Sequence, residues 1–84
     1  MTREKEVEIL MADKCTKSYA EKHLNNGAII FEDLKERFEE YAKEWQLDEE
    51  ERQEFKNMIE NGEPVQDWGV VELDGKVYFI AYCL

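Results

Sequence analysis

The clearest hydrophobic pattern in the chain lies near its C-terminus. Two runs rich in β-branched and aromatic residues, 67–73 and 76–83, are separated by Asp74–Gly75. Asp-Gly favours a two-residue type I′ turn, because both central residues of that turn need a positive φ. The pattern therefore predicts an antiparallel β-hairpin. Its facing pairs are Leu73 with Lys76, Val71 with Tyr78, Gly69 with Ile80, Glu72 with Val77, Val70 with Phe79, and Trp68 with Ala81.

Both faces of this hairpin are apolar. Because side chains alternate between faces, each face needs an apolar cover. The upstream helices can cover one face and part of the second. The final strand also has neither the charge nor the proline that normally protects an exposed edge. We therefore predict that the hairpin binds a protein partner or a second copy, favouring the dimer, with a monomer wrapped by its N-terminal helix as the alternative. The predicted interface residues are Trp68, Tyr78, Ile80 and Tyr82.

Helical periodicity dominates the first part of the chain. The spacing of apolar residues in 2–13 predicts a helix capped by Thr2. The same stripe of apolar residues continues at helical spacing to Leu24. This segment is either one helix or two helices joined near Cys15–Thr16. The sequence 25–27, Asn-Asn-Gly, is a typical helix end.

Residues 28–31 predict either a short buried strand or the entry to the next helix. From Phe31 an apolar stripe at helical spacing continues to Trp45 and predicts a second helix. Asp48 then caps a third helix, with Glu51 at the capping-box position and Asn61–Gly62 at its end. Two core residues are expected near the centres of these stripes, Phe38 and Phe55.

The predicted fold class is α+β, with three or four helices packed on a C-terminal two-stranded antiparallel hairpin. Residues 1–84 are expected to form a single small domain. The order of elements matches a winged helix, whose third helix would contact DNA. Here that helix begins with four acids, 48–51, and the hairpin turn carries one base, Lys76. We therefore do not expect DNA binding.

The chain is strongly acidic, and this restricts its partners. Twenty-one Asp and Glu against eleven Lys and Arg give a formal charge of −10. Such a chain repels phosphate backbones and anionic lipid, so neither nucleic acid nor a membrane is an expected direct partner. The charge serves either solubility or a negative binding surface. The charged N-terminus, the absence of a long apolar run and two cysteines expected as free thiols predict a cytoplasmic protein.

Candidate chemistry is sparse. Cys15, His23 and Cys83 lack the close spacing of a structural zinc site, and the acids 48–51 lack the alternation of a calcium loop. On one continuous helix, Cys15 and His23 would be more than two turns apart, too far for a nucleophile–base pair. We predict no enzyme activity, no metal and no cofactor. Gly69 predicts a close approach to a neighbour, with Trp45 or Tyr82 as candidates.

The hairpin carries one resemblance to known proteins. Asp67, Trp68 and Gly69, followed by Asp74–Gly75 and Lys76, resemble the ending of short acidic proteins carried in bacterial mobile elements. That group has no assigned activity, so the resemblance implies no catalytic or binding residues. The leading function is a non-enzymatic protein-interaction module that acts through the hairpin or an acidic helix face. The alternatives are an acidic nucleic-acid mimic that inhibits a nucleic-acid-binding protein, and a degenerate winged-helix regulator.

Overall fold

The computed structural model describes residues 1–82, which form four helices and a three-stranded antiparallel sheet. The predicted α+β class is confirmed. The strand order in the sheet is β1–β3–β2, so the hairpin gains a third strand. The elements are α1 (Arg3–Ala12), α2 (Lys17–Asn25), β1 (Ile29–Phe31), α3 (Phe38–Glu44), α4 (Glu49–Asn61), β2 (Trp68–Leu73) and β3 (Lys76–Ala81).

The hairpin formed by β2 and β3 has the predicted register at all six pairs. Asp74 and Gly75 both have positive φ, 54° and 78°, as a type I′ turn requires. On its other edge β3 pairs with β1, where Ile30 faces Ile80 and Phe31 faces Phe79. The C-terminal strand is therefore the centre of the sheet, and its apolar side chains lie at the centre of the fold.

The N-terminal stripe forms two helices rather than one. The Thr2 hydroxyl accepts a hydrogen bond from the Lys5 amide at the start of α1, at 3.2 Å. The Thr16 hydroxyl accepts one from the Tyr19 amide at the start of α2, also at 3.2 Å. Each cap satisfies a backbone donor that the first turn of a helix leaves free, so the second threonine allows a new helix to begin.

The helix predicted from Phe31 was too long. The structure begins α3 only at Phe38, because Phe31 pairs with Phe79 in the sheet and its backbone is extended. A turn region, 32–37, connects the two elements. The predicted capping box of α4 is confirmed: Asp48 and Glu51 each accept a hydrogen bond from the other's amide, and Gly62 ends the helix with φ 70°. Phe38 is buried as predicted, whereas Phe55 is only half-buried.

Three helices end with the same hydrogen-bond pattern. After α1, the Cys15 amide donates to the Leu10 carbonyl and the Lys14 amide to Met11. The ends of α2 and α3 repeat this Schellman motif. The residue in the left-handed conformation is Gly27 after α2, but Lys14 after α1 and Gln46 after α3, with φ 69° and 56°. Two helix ends therefore place a residue with a Cβ where glycine is preferred.

Replacing Gln46 or Lys14 with glycine should raise the free energy of unfolding by about 0.5–1 kcal/mol, because the left-handed conformation costs an L-residue more than glycine. Urea melts would measure this change. Gly27→Ala is the reverse control. No atom lies within 4 Å of a Cβ at that position, so only backbone strain should destabilise the variant. Unchanged or lower stability in both glycine variants would contradict the proposed strain at these helix ends.

The sheet has helices on both faces. One core cluster joins Val71, Tyr78 and Ile80 to residues of α1 and α2. The other joins Trp68 and Phe79 to residues of α3 and α4. Both apolar faces of the hairpin thus have a cover, and the chain itself supplies most of it, where the sequence had assigned part of the second face to a partner or a second copy. We call the half that contains α1 and α2 the neutral side, because residues 1–31 are formally neutral. We call the half that contains α3 and α4 the acidic side, because residues 32–63 carry a formal charge of −8.

Candidate protein-interaction surface

The predicted interface residues lie mostly inside the fold. Trp68, Tyr78 and Ile80 are 9%, 5% and 0% exposed, and each belongs to a core cluster of the chain itself. The structure thereby corrects the premise of that prediction, since the helices supply the cover that the sequence assigned to a partner. Tyr82 is half-buried at the end of the central strand. A contact surface that leaves these core contacts intact therefore lies elsewhere on the molecule.

Tyr82 connects the end of the sheet to the neutral side. Its hydroxyl donates a hydrogen bond to Asp13 Oδ2 at 2.6 Å, and Cys15 Sγ lies 3.8 Å from the same hydroxyl oxygen. The His23 ring packs edge-on against the Tyr82 ring, with centroids 4.9 Å apart. Cys15 and His23 thus both contact a tyrosine whose proton is already directed to a carboxylate. This arrangement connects the end of the central strand to α2 and to the loop after α1.

The close approach predicted at Gly69 is present. A Cβ built on Gly69 would lie 2.3 Å from Asp13 Oδ2 and 3.1 Å from Tyr82 Cε2. Tyr82 is thus one of the predicted neighbours, and the nearest atoms belong to Asp13 rather than Trp45. Asp13 and Tyr82 are 69 residues apart in the chain. The glycine was therefore the only sequence signal for this contact, and it did not identify Asp13.

Tyr82→Phe should make stability less dependent on alkaline pH. Burial, followed by the hydrogen bond to Asp13, raises the pKa of Tyr82 above its usual value. The contribution to stability is therefore complete below about pH 10, where the unfolded chain also keeps the proton, and falls as the pH rises further. Urea melts between about pH 8 and pH 11 should show a steeper loss in the unchanged protein than in the variant. Parallel profiles would contradict the buried-hydroxyl account.

The net charge is concentrated in one half of the molecule. Residues 32–63, which contain α3 and α4, carry thirteen acids and five Lys or Arg, a formal charge of −8. Residues 1–31, which contain α1 and α2, carry five of each and are formally neutral. Since these helix pairs cover opposite faces of the sheet, the uneven charge along the sequence becomes a difference between two sides of the fold.

Several bases on the acidic side are occupied by ion pairs. Arg37 contacts Asp33 and Glu40, and both Arg52 and Lys56 contact Glu39. Such exposed pairs contribute little to stability, but they neutralise the bases locally. Within the chain as described to residue 82, seven exposed acids of this side make neither an ion pair nor a capping-box bond. They are Glu36, Glu44, Glu49, Glu50, Glu54, Glu60 and Glu63.

Among residues 1–82, no group of three or more His, Cys, Asp or Glu side chains is arranged to hold a metal ion. No helix in this range is long and apolar enough to cross a membrane. The second cysteine, Cys83, and the final residue, Leu84, lie outside the described residues, and so does the free thiol predicted at Cys83.

Comparison with known proteins identified no relative. No protein-family model matches the chain, and neither the curated proteins nor the solved structures contain a significant match. The resemblance of the hairpin to mobile-element proteins therefore stays a prediction.

Proposed function

We propose that the protein is a non-enzymatic interaction module that binds a basic surface of another protein through its acidic side. The observation that supports this proposal is the separation of charge, with −8 on residues 32–63 and zero on residues 1–31. Charge that served only solubility would not need to be concentrated on one side of the molecule. A concentrated negative field raises the association rate with a basic partner and disfavours acidic ones.

The hairpin faces are weaker candidates for this contact. Tyr78 and Ile80 are buried against α1 and α2, and Trp68 is buried against α3 and α4. Exposing them would cost the core contacts that these residues already make. A dimer through the acidic sides would also bring two charges of −8 together. These two arguments favour a different protein as the partner over a second copy.

A cytoplasmic location belongs to the same proposal. Cys15 is a half-buried free thiol that contacts the Tyr82 hydroxyl. Free thiols suit a reducing compartment, where disulfides rarely persist.

The second candidate is an acidic mimic of nucleic acid that occupies the binding site of a nucleic-acid-binding protein. The exposed, unpaired carboxylates of the acidic side favour it, because such a site presents Lys and Arg to phosphates. Direct binding of duplex DNA by this chain is not expected, since α4 begins after Asp48 with three further acids. The two candidates differ in whether nucleic acid competes for the partner.

Capture of partners at two salt concentrations tests the proposal. The protein is immobilised and exposed to nuclease-treated extract of its source cells, at about 50 mM and about 300 mM NaCl. We expect basic partners that are retained at low salt and released at high salt. Added duplex DNA should displace them if the protein mimics nucleic acid and leave them bound otherwise. Retention that is insensitive to salt would contradict binding through the acidic side.

A further inference from the structure

We infer that the acidic side contains a defined docking groove, between the end of α4 and the hairpin, for a basic segment of a partner protein that carries an apolar anchor residue. The inference rests on the proposed function and states where on the acidic side the partner binds. It concerns the part of the hairpin around Val70 and Val77, which the helices leave partly uncovered.

The groove lies on the sheet face that α3 and α4 cover incompletely. Trp68 and Phe79 are buried on this face, but towards the hairpin turn Val70 is half-buried and Val77 is 44% exposed. Together with Ile59 at the end of α4, the valines and Phe79 line a groove of about 430 Å³. A partner side chain placed there would remove apolar surface from water on both molecules.

The charges around the groove select its occupant. Glu60 and Glu72 line it, and among residues 1–82 no Lys or Arg belongs to its wall. The nearest base along the strand, Lys76, is on the opposite sheet face and contacts Glu32 at 3.8 Å. An apolar floor with acidic walls complements an aliphatic or aromatic residue flanked by Lys or Arg. It repels a second copy of this chain, which is acidic.

A groove on the neutral side provides the contrast. It lies between α1 and α2, has a volume of about 510 Å³, and also contains an exposed apolar side chain, Met11. Its wall includes both Arg3 and Lys17 among three glutamates, so its charges are nearly balanced. The neutral-side groove is the larger and the more apolar of the two, so only the charge of the wall favours the groove beside the hairpin for a basic segment. Of these two grooves, the one beside the hairpin is complementary to a basic segment.

Titration with three blocked peptides tests the inference, followed through the methyl NMR signals of Ile59, Val70 and Val77. The first peptide repeats Lys-Arg-Leu three times, the second replaces Leu by Ser, and the third replaces the bases by Glu. We expect the first peptide to shift these methyl signals. The serine peptide should bind roughly tenfold more weakly, because it lacks the anchor, and the glutamate peptide should not bind.

Matched variants of the protein locate the contact. Val77→Thr keeps a β-branched residue on the strand but places a hydroxyl in the groove, and should weaken binding of the first peptide roughly fivefold to tenfold. Glu72→Gln should weaken it about twofold to threefold, and less at high salt. Glu21→Gln removes one exposed charge from the neutral side and should have no effect. Thermal melts of each variant confirm that it is folded.

The outcomes separate this inference from the proposed function. Equal binding of the leucine and serine peptides, with unchanged affinity in Val77→Thr, would overturn the groove while leaving binding by the acidic side in place. Failure of both basic peptides to bind at about 1 mM would overturn both, since charge attraction alone should then be detectable.

Discussion

Replacing Ile80 with alanine should lower the free energy of unfolding by about 3–5 kcal/mol, a large part of the stability of a domain of this size. Ile80 is fully buried in the central strand, where Ile30 and Gly69 face it across the two strand pairs. Its side chain packs with residues of α1 and α2. Truncation would leave a cavity between the sheet and the neutral side. Urea melts would measure the loss.

Val77→Ala on the same strand is the matched control. Val77 is 44% exposed on the opposite face, so its truncation should cost less than about 1 kcal/mol. A cost for Ile80→Ala as small as that expected for Val77→Ala would contradict the structure and would restore Ile80 as a candidate surface residue. The comparison therefore tests directly which side chains of the hairpin serve the core.

Trp68→Ala is expected to cost about 3–5 kcal/mol as well. The Trp68 ring contacts three other rings, those of Phe31, Trp45 and Phe55, with centroids 5.6, 5.8 and 5.2 Å away. These contacts connect β2 to β1, to α4 and to the residue that follows α3. Removing the ring would lose both buried area and the favourable aromatic geometry.

Tyr19→Ala is the control for Trp68→Ala. Tyr19 is 60% exposed on α2, so its loss should change stability by no more than about 0.5 kcal/mol. A Trp68→Ala variant with unchanged stability but lost partner binding would instead support the original prediction of Trp68 as an interface anchor. Thermal melts and partner capture on the same samples distinguish these results.

Local signals predicted the local structure correctly. Asp74–Gly75 predicted the turn and through it the full hairpin register, because a two-residue turn leaves one pairing. Asp48 with Glu51 predicted the start of α4. In each case the deciding interaction joins residues within a few positions of each other, so the sequence contains the whole motif.

Long-range pairing explains what the sequence did not reveal. Phe31 fits a helical stripe, but pairing with Phe79, 48 positions later, makes it part of a strand. The contact between Asp13 and Tyr82 was not predicted for the same reason, because the two residues are far apart in the chain. The cover of the second hairpin face also depended on how four short helices are divided between two faces. That division is a property of the tertiary fold, and no single apolar stripe in the sequence predicts which sheet face a helix covers.

The candidate surface was only partly visible in the sequence. The acidic charge and the possibility of an acidic binding face were evident from composition, and the concentration of charge in residues 32–63 can be counted. That this charge forms one side of the molecule required the knowledge that α3 and α4 cover the same sheet face. The hairpin was predicted to need an outside cover, and within residues 1–82 a partly uncovered region lies around Val77 and Val70.

Partner capture by two charge-matched variants tests the central claim most directly. One variant carries Glu→Gln at Glu44, Glu50 and Glu54 on the acidic side, and the other carries Glu→Gln at Glu4, Glu8 and Glu21 on the neutral side. Each changes the net charge by the same amount at exposed positions. We predict that the first loses about 90% of the partner captured at low salt and that the second stays within about twofold of the unchanged protein. Equal losses in the two variants would show that only total charge matters and would contradict a binding surface on the acidic side.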